Sequence, residues 1–401
     1  MESKNLIVLL TVCIGLFYGC KSRPDINSGE IPILDIAQVI ESNPSIEDPV
    51  KVKSISFIPL ETNEEVLLKN PRLLSFKNNS IWILSNQAVF RFDEKGHFVH
   101  KIDHRGQGPQ EYRSLDDIAV DYENERIFCL DDDYYNPRLI QYGFDGDYIG
   151  SFKLTGNSRI ECIEGNLWAA SDPANIPSHY IINRYDLSTG EKTDSLMKPD
   201  YNPEQVGPGI TLTDFYLSGG KINVKYTYND TAFYIENGRL HPHLIYRLGE
   251  YVMPIEVSTA LYMDSKKYVI DFRHKETASL AFVSYTRNKT SLNMSGTYEE
   301  IIKRIEEYEK HSIRFHEVWN KNKGKLIYRK VTNPENRKEN PEGIMFTDGR
   351  LTLCIDPEMA DDHHVYILLE AYQYLEYMKE YPGFISDIKE EDNQILCVIK
   401  I

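Results

Sequence analysis

The chain reads as an all-β protein, a six-bladed β-propeller of four-stranded blades with two helical insertions in the C-terminal blades. Residues 104–154 carry the first sign of it. Four short strand-like segments lie there within about fifty residues, each ended by turn chemistry, which is the size of one blade. The second sign is spacing. Second-strand anchors Ile81, Ile127, Leu167 and Ile222 recur at 46, 40 and 55 residues, and third-strand anchors Phe92, Phe144, Tyr185 and Tyr234 at 52, 41 and 49. Composition agrees, since 27 tyrosines and 16 phenylalanines favour strands. A β-sandwich would also give many short strands, but not turns repeated in phase with them.

Residues 1–19 read as a lipoprotein signal peptide. Lys4 precedes an apolar run from Leu6 to Phe17 that is too short to span a bilayer as a helix. The run ends Phe17-Tyr18-Gly19-Cys20, and a small residue before a cysteine resembles the bacterial lipobox, in which Cys20 becomes the acylated N-terminus. Residues 20–30 are polar with Pro and Gly, as a tether should be. Removal of 1–19 leaves the net charge at −16, because Glu2 and Lys4 cancel. That charge argues against nucleic acid and against electrostatic binding to anionic lipid. The expected membrane contact is therefore the lipid alone.

The propeller is expected over 31–401. The apolar-rich segment 31–40 precedes the first full repeat and has no blade of its own. It is expected to complete blade six beside the C-terminal strand and so close the ring. Blade one reads as 72–76, 80–84, 88–92 and 97–102. Blade two is the 104–154 stretch, with an Asp145-Gly146-Asp147 turn. Blade three covers 159–163, 167–170, 180–186 and 192–197. In blade four, 212–217, 221–226, 232–236 and 243–248 follow, with Asn237-Gly238 as a strong hairpin turn.

Blade five is interrupted. Strands at 268–272 and 280–285 are followed by a helix opened by Thr297 and Glu300 in capping-box spacing, with Ile301, Ile305 and Tyr308 on one face. Strands then resume at 313–319 and 325–329. Blade six begins near 344–346 and 351–355. A second helical pattern, Leu368, Ala371, Tyr372, Leu375 and Met378, precedes a last strand at 395–401. Cys129, Cys162, Cys354 and Cys397 all sit in apolar strand-like runs, which favours buried free thiols over disulfides.

Several of these residues carry a resemblance. The order within 104–154 is similar to an NHL-type repeat. Ile58-Pro59-Leu60-Glu61-Thr62, Gly106-Gln107-Gly108-Pro109-Gln110-Glu111-Tyr112 and Glu391-Asp392-Asn393-Gln394-Ile395-Leu396 together resemble the six-bladed β-propeller lipoproteins of Bacteroidetes. Gln110 and Gln394 depart from that pattern, where Gly and Pro are usual. The resemblance implies an exported propeller anchored in the cell envelope, at its outer membrane, and it implies no catalytic residue or cofactor.

The loop 103–113 is the candidate ligand site. Arg105, Gln107, Glu111 and Tyr112 offer a cation, an amide, a carboxylate and an aromatic ring within eight residues. A purely structural reading stands beside it, in which Gly106, Gly108 and Pro109 shape a turn and Glu111 serves the backbone. Elsewhere the chemistry is thin. Asp131-Asp132-Asp133 and Asp145-Gly146-Asp147 lack EF-hand spacing, and His241-Pro242-His243 and Asp361-Asp362-His363-His364 put neighbouring side chains on opposite faces. His316-Glu317 lacks the second His of a zinc-protease motif, and no nucleophile elbow or phosphate loop occurs. The expected function is a non-catalytic binding or scaffold module for a glycan, peptide or partner protein, with no metal or cofactor. The rival is an NHL-like lyase or hydrolase with a metal at the channel mouth.

Overall fold

Four consecutive antiparallel strands, repeated around an axis, account for most of the chain. The computed structural model describes residues 31–401 apart from 132–137, 155–156, 172–179, 199–212, 227–228, 254–257, 260–261, 264–265, 334–340 and 382–386. The signal segment, Cys20 and the tether lie outside the described residues, as do Asp132 and Asp133.

Blade one comprises Arg72–Lys77, Ser80–Ser85, Ala88–Asp93 and Phe98–Ile102, in that spatial order. Blade two comprises Leu115–Asp121, Arg126–Asp131, Arg138–Gly143 and Tyr148–Lys153. Blade three holds Asn157–Ile163, Asn166–Ser171, Ile182–Tyr185 and Lys192–Leu196. Blade four holds Thr213–Ser218, Lys221–Tyr226, Thr231–Glu236 and Arg239–Tyr246. The first strands of these blades adjoin in turn, which places them innermost. At the Asn237-Gly238 turn both residues have positive φ, 51° and 67°, the requirement of a two-residue type I′ hairpin.

Blade five is Ile270–Glu276, Leu280–Asn288, Ser312–Asn320 and Lys325–Thr332. Its inserted helix runs Tyr298–Lys310, and the capping box forms as the sequence requires. The Thr297 hydroxyl accepts from the Glu300 amide, and the Glu300 carboxylate accepts from the Thr297 amide at 2.9 Å.

The ring holds seven blades, not six. The expected sixth blade divides in two. Ile344–Thr347 and Thr352–Ile355 form a hairpin of their own, and Met359–Ala360, His364–Leu369 and Ile395–Lys400 belong to a separate seventh blade. Leu368, expected at the start of a helix, lies in a strand, and the helix begins three residues later at Ala371–Glu380. The strand escapes sequence reading because five of its six residues are buried, which leaves no period-two alternation. The short sixth blade is wedged between its neighbours. Ile344, Phe346, Leu351 and Leu353 share one core with Leu280 and Phe282 of blade five and Val365 and Ile367 of blade seven. It does not part those neighbours completely, since the Ala278 amide of blade five donates to the Asp362 carbonyl of blade seven at 3.0 Å.

Closure is also different from expectation. Residues 31–39 do not pair with the C-terminal strand. Asp35 caps a short helix, Ile36–Ser42, by accepting from the Gln38 amide, so this segment cannot be a blade strand. Ile33–Leu34 instead runs parallel to the outer strand of blade four, Ile33 opposite Ile245. The closing strand is Ser54–Pro59, antiparallel to Ile395–Lys400 from Ser54 opposite Lys400 to Pro59 opposite Ile395. Pro59 is tolerated because this is the outer edge of its sheet. Between these contacts the chain straps the rim. Ile46 bridges to Arg329 of blade five, and Val50–Lys51 adds a parallel strand to blade six.

The apolar core is divided among the seams between blades, each with its own buried cluster. Cys129, Cys162, Cys354 and Cys397 are all free thiols; the first two and the last are buried, and Cys354 is half-buried.

Candidate functional site

The loop between the outer strand of blade one and the inner strand of blade two is tightly built. Its backbone folds on itself. The Gly106 amide donates to the Tyr112 carbonyl at 2.9 Å, and the Tyr112 amide donates to the His104 carbonyl at 3.0 Å. Glu111 turns back into this fold, and its Oε2 accepts from the Gly108 amide at 2.7 Å. A side chain at Gly106 would place Cβ 1.9 Å from that same oxygen, so any larger residue there would push the Glu111 carboxylate off the Gly108 amide.

Three side chains from blade two and its approach hold the loop down. Tyr112 is fully buried, and its hydroxyl donates to the Gln87 carbonyl at 2.7 Å. Burial pushes that hydroxyl's pKa well up, so it stays protonated and a donor. The Tyr142 hydroxyl donates to the Gln110 carbonyl at 2.7 Å, and the His104 ring stacks on Tyr142 with centroids 4.9 Å apart. Arg138 donates to the carbonyls of Pro109, at 2.9 Å, and of Gly108 and Glu111. Its Nε also donates to Asp131 at 3.3 Å, and Asp131 accepts from the Arg113 and Ser114 amides at 3.0 Å each.

The four candidate residues therefore separate. Arg105 and Gln107 are exposed and line an open depression of about 380 Å³, together with Gly106 and Arg113. Glu111 and Tyr112 do not line it; they are spent on the loop's own construction. Arg113 was not singled out in the sequence, although a second arginine at the end of the same loop was visible there.

A second polar cluster lies in the seam between blades four and five. Glu276, 1 % exposed at its side chain, accepts from Tyr216 at 2.5 Å, His243 at 2.8 Å and Lys321 at 2.6 Å. Burial pulls the Glu276 carboxyl upward, but the hydrogen bonds and charges of His243 and Lys321 outweigh it and hold the group well below the usual range. Beside it, His274 Nδ1 lies 3.1 Å from Asp214 Oδ2, and the His274 ring packs against Tyr216 and Tyr246. Lys225 is buried next to them and donates to the Tyr226 carbonyl at 2.9 Å. The only sequence signal was the alternation of Asp214 with Tyr216 and of His274 with Glu276 on two separate strands.

The remaining motifs resolve into structure. His241 stacks on Tyr234 while His243 reaches Glu276, so the two point to different partners. Asp145 accepts from the Asp147 amide, and Asp361 from the His363 and His364 amides, as turn residues do. His316 pairs with Asp356 at 2.8 Å, and Glu317 with Arg329 at 3.2 Å. Among the described residues no group of three or more His, Cys, Asp or Glu is placed to hold a metal ion. No helix among them is long and apolar enough to cross a membrane.

A family model described as Domain of unknown function (DUF4934) matches residues 31–400. Among solved structures, a Bacteroides fragilis protein named for its proposed export is 17% identical, with a TM-score of 0.61, over 92% of this chain and 99% of that one. A member of the DUF4221 family from Bacteroides vulgatus is 11% identical, with a TM-score of 0.47, over 87% of this chain and 96% of that one. Among curated proteins, none matches this chain.

Proposed function

The chain belongs to the DUF4934 family, and from that premise we propose that it is an exported, lipid-anchored propeller that binds a ligand without catalysis. The observation that supports this reading is the 103–113 loop. Arg138, Tyr112 and Tyr142 fix its backbone, so Arg105, Gln107 and Arg113 are presented around the depression on a rigid support. Such pre-ordering lowers the entropic cost of binding. The ligand would be a glycan, a peptide or a partner protein, and Cys20 would hold the propeller at the envelope membrane. The anchor is tested by Cys20→Ala and fractionation. The variant should leave the membrane fraction, and unchanged membrane association would remove the anchor from this reading. The binding site is tested by glycan and peptide arrays probed with the detergent-purified chain.

A further inference from the structure

We propose that the depression beside Arg105 and Arg113 takes the carboxylates of an extended acidic segment of a partner protein. This rests on the binding reading above and names the ligand class of the same site. Charge is the first argument. Two guanidinium groups line the depression, while the loop's own carboxylate, Glu111, is turned onto the Gly108 amide. Asp131, the next carboxylate in the construction, is buried under Arg138 and two backbone amides, and Asp103 pairs with Lys101 at 2.8 Å. These three carboxylates are thus engaged with other groups, while Arg105 and Arg113 line the depression. A guanidinium fork matches a carboxylate with two parallel hydrogen bonds.

The second argument chooses among acidic ligands. Among the described residues no aromatic ring lines the depression, because Tyr112 and Tyr142 are both fully buried beneath the loop. Among those residues a sugar ring would find no flat surface to stack on. A long polyanion would meet the field of a chain carrying a net charge of −16. An extended segment with one or two carboxylates avoids both problems. The site is also open rather than enclosed, which suits a strand-like segment lying across it more than a small molecule sunk within it. Gln107 adds an amide that can both donate to and accept from a peptide backbone.

The test uses fluorescence anisotropy on the full chain in detergent, with labelled peptides alternating Glu and Gly or Gln and Gly. A neutral and a uronic-acid oligosaccharide serve as competitors. The Glu peptide is expected to bind at least about tenfold more tightly than its Gln counterpart, and to weaken as salt is raised. Arg105→Gln with Arg113→Gln should lose about that factor while the melting temperature stays unchanged, since both side chains are exposed. Equal binding of the two peptides, with the double variant still weaker, would overturn the acidic class but keep the site. Displacement by the uronic-acid oligosaccharide, with no peptide binding, would overturn the protein partner in favour of a glycan. Binding of any probe that the double variant leaves unaltered would overturn the site itself, and with it the reading on which this one rests.

Discussion

The seam between blades one and two and the seam between blades four and five solve the same packing problem with opposite chemistry. The first is apolar. Trp82, Val89, Ile102, Leu115, Ile127 and Ile140 are buried in it, and its two tyrosine hydroxyls are each satisfied by a backbone carbonyl. The second has an apolar part, with Ala232, Leu244, Ala281 and Val283, but it also buries Lys225, His274 and Glu276. Burying a charge is costly unless it is paired and hydrogen-bonded, and Glu276 meets that condition with three donors. The difference shows where each seam can act. The apolar seam leaves its polar side chains at the surface, around the depression. The polar seam turns Lys225, His274 and Glu276 inward, where they bear on stability.

The largest expected effect follows from that contrast. Glu276→Leu strips Tyr216, His243 and Lys321 of their common acceptor and leaves the partly buried Lys321 ammonium without its partner. The loss should be about 3–5 kcal/mol in denaturant unfolding, the usual result of breaking a buried pair from one side. Tyr142→Phe in the apolar seam removes one hydrogen bond and should cost only about 1 kcal/mol. Equal costs for the two variants would break the comparison.

A smaller effect tests the link between the apolar seam and the loop above it. Arg138→Met removes the donor to three loop carbonyls and the cation beside Asp131. Hydrogen bonds to charged groups contribute about 1.5–3 kcal/mol each, but the Arg138 side chain is 15% exposed and water replaces part of that loss. A net cost of about 2 kcal/mol is expected. Hydrogen exchange should rise at the amides of Gly106, Gly108 and Glu111 while the blade-two strands stay protected. Uniform loss of protection across blade two would make Arg138 a core residue rather than a loop clamp.

The two regions were not equally legible in the sequence. Blades one to four could be traced because their strands pair with sequence neighbours, and turns such as Asn237-Gly238 declare their own geometry. The exposed pair Arg105 and Gln107 could be found because a Gly- and Pro-rich loop between strands has little choice but to face solvent. Tyr112 could not be placed, since its burial depends on a carbonyl at Gln87 in a different hairpin. The polar seam was hidden for a related reason. Tyr216 and Glu276 are 60 residues apart, and neither carries a local signal of the other. The blade count failed where pairing is most distant. Ser54–Pro59 meets the C-terminal strand across almost the whole chain, and Val50–Lys51 completes a hairpin too short to announce itself as a blade.

The finest test of the comparison is pH. Four titratable groups of the polar seam lean the same way. Burial pushes the His274 imidazole below its ordinary 6.5, with Asp214 pulling partly back and Lys275 adding to the depression. Burial likewise brings Lys225 down to about 8 against the attraction of Asp214 and Asp230. Burial alone would raise Asp214 and Glu276, but His274 in the first case and His243 with Lys321 in the second hold both below their usual range. Tyr216 and Tyr246 also face His274, and burial keeps their hydroxyls protonated. For His274 the unfolded chain takes up its proton first as pH falls through 6.5, while the folded form resists until lower pH. The unfolded state then binds more protons, so stability drops with acidification through 6.5 and levels off below the folded pKa. Lys225 has the same sign in the window from about 8 to 10.5, where stability rises with pH. Both carboxylates stabilise above their unfolded pKa values and lose that contribution as pH falls through the folded ones. His274→Asn should therefore flatten the melting curve's pH dependence just below 6.5, by at most ~1.4 kcal/mol per pH unit for a single proton. The steeper acid loss belonging to Glu276 should remain, because His243 and Lys321 still hold it, whereas Asp214 loses the His274 partner that lowers it. The matching change in the apolar seam, Tyr142→Phe, should leave that slope as it is, because burial pushes the Tyr142 hydroxyl well up and keeps it protonated throughout this window. An unaltered slope in His274→Asn would mean that the polar seam answers to its carboxylates alone.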